Sequence, residues 1–288
     1  MERLKQGPRP TASALDWAAG ALGPGAREVV ERPSAVARSG VDPLEADSLI
    51  SAATSYTLAL RLDGVDSKPA EAAFAAAGAK RSRAGEWTNY DLGAEWAVPD
   101  DPALEPLGSL GARPAVKRGS ILLARSPLAR GEMEKSEPPA IDAGEVAVAA
   151  ECLGDVLAAR LVLNNHTHLP NSGPELLAFG VSASPADLGR EVLCAVGDPD
   201  PVGRAAESLG GAFASDARDG VSGEPMGELV AGSELDTYDA GGLAVARVVL
   251  DRASGTEPGF LFGAFDRGSM LTYLGMQPPP SPGVGSHA

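Results

Sequence analysis

Two stretches of the chain, one in each half, share the same order of sequence features, and this repetition constrains the fold more than any other feature. The first is TLALRLDGVDSKPAEAAFAAAGA at 57–79, and the second is LLAFGVSASPADLGREVLCAVG at 176–197. Each has an apolar run, a short polar turn, a serine and then a proline, an apolar segment and a final glycine. This order predicts a strand followed by a helix in both halves.

In the first stretch, residues 58–62 form the predicted strand. Ser67 is placed to cap the N-terminus of the following helix, Pro69 lies in its first turn, and Gly78 ends it. We therefore expect a strand followed by an Ala-rich helix that packs against it.

In the second stretch, the predicted strand is 177–181. Ser184 is the expected N-cap, Pro185 occupies the first helical position, and Gly197 ends the helix. The helix is therefore predicted over 185–196, and it contains one of the two cysteines.

Further segments complete a pattern of strands and helices in each half. Strands are predicted at 86–90, 120–124, 161–163 and 242–250, and helices from Ser126 and Pro127 onward, at 202–213 and at 259–275. The pattern predicts an α+β protein of two duplicated halves, each an antiparallel-rich sheet with helices on one face. A doubly wound sheet is the alternative architecture.

A segment rich in acidic residues and proline, GEMEKSEPPAIDAGE at 131–145, separates the two halves. The ends of the chain are polar or rich in Pro and Gly, which prevents them from contributing to a core. The predicted organisation is a polar tail at 1–10, a first α+β repeat at 11–135, a linker at 136–144, a second repeat at 145–276 and a Pro/Gly-rich tail at 277–288.

The charge balance argues against nucleic acid as a partner. The chain has 39 acidic and 24 basic residues and a formal charge of −15, so a phosphate backbone would be repelled unless basic residues formed a patch. The densest basic stretch, at 80–83, is short.

No apolar run of about 18 residues occurs, and no transmembrane segment is predicted.

The two cysteines, Cys152 and Cys194, both lie in apolar segments that are predicted to be helical. Two buried free thiols would suit a cytoplasmic protein, whereas one disulfide joining two helices would suit an exported protein. We favour the disulfide. Neither cysteine has a CxxC partner or a nearby histidine, which argues against a zinc site.

Two of the three histidines form the pair His166 and His168, separated by one residue. On an extended strand, both side chains would project to one face and could bind a transition metal. A stable site needs three or four ligands, however, and the third histidine, His287, lies in the predicted C-terminal tail. We therefore interpret 164–174 as a polar loop between two strands, with the two histidines as weak metal candidates.

The same loop is the predicted contact with a partner. Its candidate contact residues are Asn165, His166, His168 and Asn171, because loops that carry polar side chains are frequent binding elements.

The motifs of common enzyme classes do not occur in the sequence. It contains no G-x-S-x-G nucleophile elbow, no P-loop and no complete G-x-G-x-x-G fingerprint. We therefore predict no catalytic residues, no cofactor and no enzymatic activity.

Several segments resemble, in the same order, an actinobacterial family of exported lipoproteins of unknown function. They are LDWAAGALG at 15–23, YTLALRLDG to AFAAAG at 56–78, AECLGD at 150–155, EVLCAVG at 191–197, SGEPMGELVAG at 222–232 and GFLFGAFDRGSMLTYLG at 259–275. The resemblance covers nearly the whole chain. It implies an extracytoplasmic, envelope-attached protein in which Cys152 and Cys194 pair, and it implies no particular reaction. Such proteins begin with a signal peptide and a lipobox cysteine; residues 1–10 have neither, so a lipid anchor would belong to the native precursor.

These observations together predict a non-enzymatic extracytoplasmic protein, attached to the cell envelope or secreted, that acts through contacts with a protein or an envelope component. The alternative is a small-ligand-binding protein with a cleft between the two halves. A hydrolase with a histidine or carboxylate site near 164–174 is less favoured.

Overall fold

Each half of the chain builds one antiparallel β-sheet. The computed structural model describes residues 26–53, 58–134, 144–164, 173–182, 190–220, 222–253 and 259–276. The chain divides into two compact units, Met1–Glu137 and Pro138–Ala288. The predicted α+β class with antiparallel sheets is confirmed.

The sheet of the first unit has six strands in the order β1-β2-β6-β5-β4-β3, and every neighbouring pair is antiparallel. Its strands are β1 (Ser48–Ala53), β2 (Leu58–Asp63), β3 (Lys80–Ala84), β4 (Trp87–Asp91), β5 (Ala115–Lys117) and β6 (Ser120–Ala124). Its helices are α1 (Ala26–Glu31), α2 (Pro33–Val36), α3 (Lys68–Ala76) and α4 (Pro127–Glu134), and 3₁₀ turns lie at Ala37–Ser39, Pro43–Glu45 and Glu105–Ala112.

The strand and helix predicted from the first repeated stretch are confirmed. Helix α3 follows Ser67 and has a proline in its first turn, but the Ser67 side chain makes no capping hydrogen bond, so the predicted cap does not form. Gly78 has a positive φ of 77°, a conformation that glycine adopts without steric cost, and the helix ends just before it. The helix predicted to open at Ser126 also forms, and the Ser126 hydroxyl accepts a hydrogen bond from the Ala129 N–H at 3.2 Å.

The sheet of the second unit has five strands in the order β10-β11-β9-β8-β7, again with all neighbours antiparallel. Its strands are β7 (Val156–Leu163), β8 (Leu176–Ser182), β9 (Arg190–Gly197), β10 (Val230–Ala240) and β11 (Leu243–Arg252). Its helices are α5 (Gly144–Leu153), α6 (Pro199–Ala212), α7 (Met226–Leu229), α8 (Phe260–Asp266) and α9 (Ser269–Tyr273). The two sheets thus differ in strand number and in strand order.

The predicted helix at 185–196 is wrong for its second half, because residues 190–197 form the central strand β9. Residues 183–189, including the predicted N-cap Ser184, lie outside the described residues. From Glu191 to Gly197 every residue of β9 is buried. A strand covered on both faces reads as a continuous apolar run without period-two alternation, and such a run resembles a buried helix in sequence.

Helices cover both faces of each sheet, where the sequence predicted helices on one face. In β9, Cys194 contacts α5 on one face, whereas Glu191, an odd number of residues away, binds α8 on the other. In the first unit, Leu123 of β6 belongs to the core that contains α3, and Leu122 belongs to the core that contains α4. The physical reason is that both strands are apolar at successive positions, so neither of their faces can be left to solvent.

The predicted helix at 259–275 forms as two shorter helices, α8 and α9. Gly268, with a φ of 82°, lies between them and redirects the chain. The helix predicted at 202–213 begins earlier, at Pro199, because Asp198 lies at the N-cap position and proline is favoured in the first turn of a helix.

Among the described residues, no helix combines the length and the apolar character needed to cross a bilayer.

Candidate functional site

A cavity of about 510 Å³ opens at one end of the sheet in the second unit. Four elements meet there: the start of α5, the end of β7, the start of β8 and the junction of β9 with α6. The described residues that line it are Glu145, Leu163, Asn164, Gly173, Glu175, Asp198 and Pro201. We call this set the acidic cavity.

Strand pairing fixes the position of these residues. Leu163 at the end of β7 lies opposite Leu176 at the start of β8, and the Asn164 N–H donates to the Glu175 carbonyl at 2.8 Å. A Cβ atom on Gly197 would lie 2.9 Å from the Glu175 nitrogen, so only glycine allows the end of β9 to pass this close to the start of β8. The three strands therefore end at one rim.

The described lining of the acidic cavity carries three carboxylates and no basic side chain. Asp198 occupies the N-cap position of α6, where the positive end of the helix dipole favours a negative charge. Glu145 lies in the first turn of α5, where the same effect applies. The cavity therefore favours a cationic group.

The predicted contact loop is attached to this rim. Its ends, Asn164 and Gly173, both line the acidic cavity. His166 and His168, as well as Asn165 and Asn171, lie outside the described residues. Within the described part of the chain, no group of three or more His, Cys, Asp or Glu side chains is arranged to hold a metal ion. The proposed metal and partner roles of the loop residues stay predictions.

Strand β7, which leads into the acidic cavity, is an edge strand with an exposed apolar face. Leu161 is 41% exposed and Leu163 is 39% exposed, whereas Val162 between them is 5% exposed. Leu161 lies opposite Ala178 and Leu163 opposite Leu176, so both leucines lie on the face of the sheet that α5 covers. An edge strand with exposed leucines beside a charged cavity is a candidate binding element.

The predicted disulfide between Cys152 and Cys194 is confirmed, and its sulfur atoms lie 1.99 Å apart. It joins helix α5 to strand β9 rather than two helices, and both residues are buried. No free cysteine remains, since the chain has two. The bond closes a loop that contains β7 and β8, and so it fixes α5 against the strands that build the acidic cavity.

The structure also contains a buried carboxylate that was not predicted from the sequence. Glu191 is 4% exposed and accepts hydrogen bonds from the backbone N–H groups of Gly259, Phe260 and Leu261 at 2.8–2.9 Å. Burial raises the pKa of Glu191, although these three bonds and the charge of Arg252 act to lower it. The carboxylate holds the start of α8 on the sheet. Its sequence signal was a single acidic residue inside an apolar run.

A second buried polar pair, Asp219 and Tyr273, was also missed. The Tyr273 hydroxyl donates to Asp219, and the Ser222 N–H donates to the other carboxylate oxygen at 2.7 Å. Burial acts to raise the pKa of Asp219, but the hydrogen bonds from Tyr273 and Ser222 and the charge of Arg267 lower it overall. Burial and the neighbouring carboxylate raise the pKa of Tyr273. The two residues are 54 positions apart, so nothing local in the sequence indicates the pair.

The first unit has a cavity of about 460 Å³ at the start of α3. Its charged lining residues are of both signs, with Asp66 and Glu71 beside Lys68 and Arg118. The Asp66 carboxylate already accepts the Lys68 N–H at 3.1 Å. This cavity therefore has no dominant charge to select a ligand.

In comparisons with known proteins, no family model, no curated protein and no solved structure matches the chain.

Proposed function

We propose that this chain is an extracytoplasmic, non-enzymatic protein that acts by binding another protein. The observation that carries the proposal is the buried Cys152–Cys194 disulfide. Structural disulfides persist in oxidising compartments and are rare where cellular reductants keep thiols reduced. The resemblance to exported actinobacterial lipoproteins agrees with this compartment, and the proposal includes attachment to the cell envelope through a lipid anchor on the precursor.

The binding role is supported by the edge strand β7 and the acidic cavity at its end. Edge strands are common places for protein contacts, because their outer backbone groups can pair with an added strand. The exposed side chains of Leu161 and Leu163 add apolar surface, and the carboxylates of Glu175 and Asp198 add charge. Apolar contact supplies affinity, and charge supplies selectivity between partners.

The compartment is tested on the protein in the organism that makes it. Intact cells are treated with an amine-reactive label that does not cross membranes; the chain is then denatured with a thiol-alkylating reagent present, and its mass is measured. We expect surface label on the chain and no alkylation of Cys152 or Cys194. Alkylation of both cysteines together with absence of surface label would contradict the proposal.

A small cationic ligand is the second candidate, because the volume of the acidic cavity lies within the range of known ligand sites, roughly 300–1,000 Å³. Spermidine is a suitable probe. If the cavity binds such a ligand, spermidine should raise the thermal unfolding midpoint, and Glu175→Gln should abolish this increase. An equal increase in the variant would remove the acidic cavity as the site.

A further inference from the structure

We infer that the outer edge of β7 binds an extended segment of a partner protein by strand addition, and that this segment has a basic residue followed by alternating apolar residues. The inference rests on the proposed protein-binding function and names the class of partner.

The backbone of β7 is oriented for such pairing at the positions of its two exposed leucines. The Asn164 N–H donates to the Glu175 carbonyl, so residues 164 and 175 form a hydrogen-bonded pair across the hairpin. Such pairs alternate along antiparallel strands. The N–H and C=O groups of Val162 therefore point toward β8, and those of Leu161 and Leu163 point away from it. No described strand pairs with β7 on that outer side.

The side chains of β7 differ from those of two other edge strands. All five residues of β3 are exposed, and they include Lys80, Arg81 and Arg83. The exposed part of β10 carries Glu234, Asp236 and Asp239. Charged edges of this kind oppose addition of another strand.

In β7 the only charged side chain is that of Arg160. It lies on the other face from the two leucines, over the rings of Phe179 and Phe262, and it forms an ion pair with Asp266 at 2.6 Å. The face that carries the two leucines is uncharged, so β7 lacks the protection that β3 and β10 have.

The charge at the end of β7 distinguishes between a basic partner and a second copy of this chain. Pairing of β7 with itself across a two-fold axis would bring the carboxylates of one acidic cavity near Asp155, which precedes β7 in the other copy. The chain also carries a net charge of −15, which opposes self-association. A partner with a basic residue at this end is favoured instead.

The direction of the partner follows from the same geometry. All described neighbours in this sheet are antiparallel. An added antiparallel strand starts where β7 ends, so its N-terminal side lies beside Leu163 and the acidic cavity. The basic residue therefore precedes the apolar residues, which lie opposite Leu163 and Leu161.

The test uses the full chain and a fluorescent peptide, Arg-Ser-Leu-Thr-Val-Thr-Ser, with binding measured by anisotropy. We expect saturable binding, about tenfold weaker when the arginine is replaced by glutamate or when the protein carries Glu175→Gln. Glu234→Gln on the charged edge β10 is the matched control and should leave binding unchanged. Loss of the same size in both variants would mean that net charge alone attracts the peptide, and would overturn the inference.

Backbone pairing is tested separately. N-methylation of the leucine and valine of the peptide removes the donors that face β7, and it should abolish binding, whereas N-methylation of the threonine between them should not. In the protein, Leu161→Pro removes an outward N–H that β8 does not use, a change that edge strands tolerate. Leu161→Ser keeps this N–H and removes only the apolar side chain. Proline should abolish binding and serine should weaken it, with Leu235→Ser on β10 as the control.

Three results would overturn the inference: no binding of the arginine peptide at about 1 mM, a Kd that corresponds to only about −4 kcal/mol; binding that survives N-methylation and Leu161→Pro; or a dimer in ultracentrifugation that Leu161→Pro dissociates. The third result would show that a second copy covers β7. If the peptide fails but the disulfide and surface labelling are found in cells, the proposed function stands and only the assignment of β7 is lost.

Discussion

The hydroxyl of Tyr273 stabilises the ionised carboxylate of Asp219, which is 2% exposed. Tyr273→Phe removes this donor and keeps the ring contacts with Phe213 and Phe260. A hydrogen bond to a charged group contributes about 1.5–3 kcal/mol, so we expect a loss of that size in the free energy of unfolding. Urea denaturation at pH 7 measures it. A loss below about 0.5 kcal/mol would show that the Ser222 N–H alone satisfies the carboxylate.

The contribution of Asp219 to the free energy of unfolding depends on pH, and it decreases as the pH falls. The pKa of Asp219 is lowered in the folded chain, so its stabilisation is present above the ordinary carboxyl pKa of about 3.9 and is lost as pH falls through the folded value. Tyr273→Phe should therefore destabilise the chain strongly at pH 6 and progressively less below pH 4. Equal destabilisation at pH 6 and below pH 4 would exclude a charge-assisted hydrogen bond between Tyr273 and Asp219.

At the scale of elements, Cys152 and Cys194 form the one disulfide that the two cysteines of the chain allow. The two residues are separated by 42 positions, and closure of a loop of that length stabilises a protein by about 4 kcal/mol in the chain-entropy treatment. We expect the double variant Cys152→Ala/Cys194→Ala to lose at least about this much in free energy of unfolding. Reductant should destabilise the native chain and leave the variant unaffected. An effect of reductant on the variant would show that its action does not go through this bond.

Gly40 follows the 3₁₀ turn Ala37–Ser39 and lies against the first turn of α3. Its φ is 75°, and a Cβ atom there would overlap the backbone of Pro69 and Ala70. Because backbone cannot move aside as a flexible side chain can, Gly40→Ala should cost about 3 kcal/mol, from positive-φ strain and overpacking together. Gly85→Ala has positive φ but open space around it, and it separates the two causes. Chemical denaturation of both variants measures the difference.

Elements whose sequence signals lie close together along the chain were predicted correctly. Strand β2 and helix α3 follow from an apolar run, Pro69 and Gly78, which all lie within one stretch of sequence. Strand β9 was predicted as a helix, because burial on both faces removes the alternation by which a strand is recognised. The acidic cavity could not be predicted, since Glu145, Glu175 and Asp198 meet only after β7, β8 and β9 pair in register. The pairing of Asp219 with Tyr273 depends on the same kind of long-range contact.

At the scale of the whole molecule, each unit has a described core of its own. The core around Phe74 and Leu123 contains residues of the first unit, and the core around Cys194 contains residues of the second. All described strand pairs and the disulfide also fall within single units. Each unit has about 140–150 residues, enough for an independent core.

We therefore expect residues 138–288, produced alone under oxidising conditions, to fold cooperatively and to form the Cys152–Cys194 bond. Strand β7, the acidic cavity and all elements that position them lie within this unit, so the fragment should bind the arginine peptide with the affinity of the full chain. Circular dichroism, alkylation mass and peptide anisotropy measure the three properties. A fragment that folds and oxidises but binds at least tenfold more weakly would show that the first unit contributes to the partner site. A fragment that does not fold would show that the core around Cys194 is insufficient without the first unit.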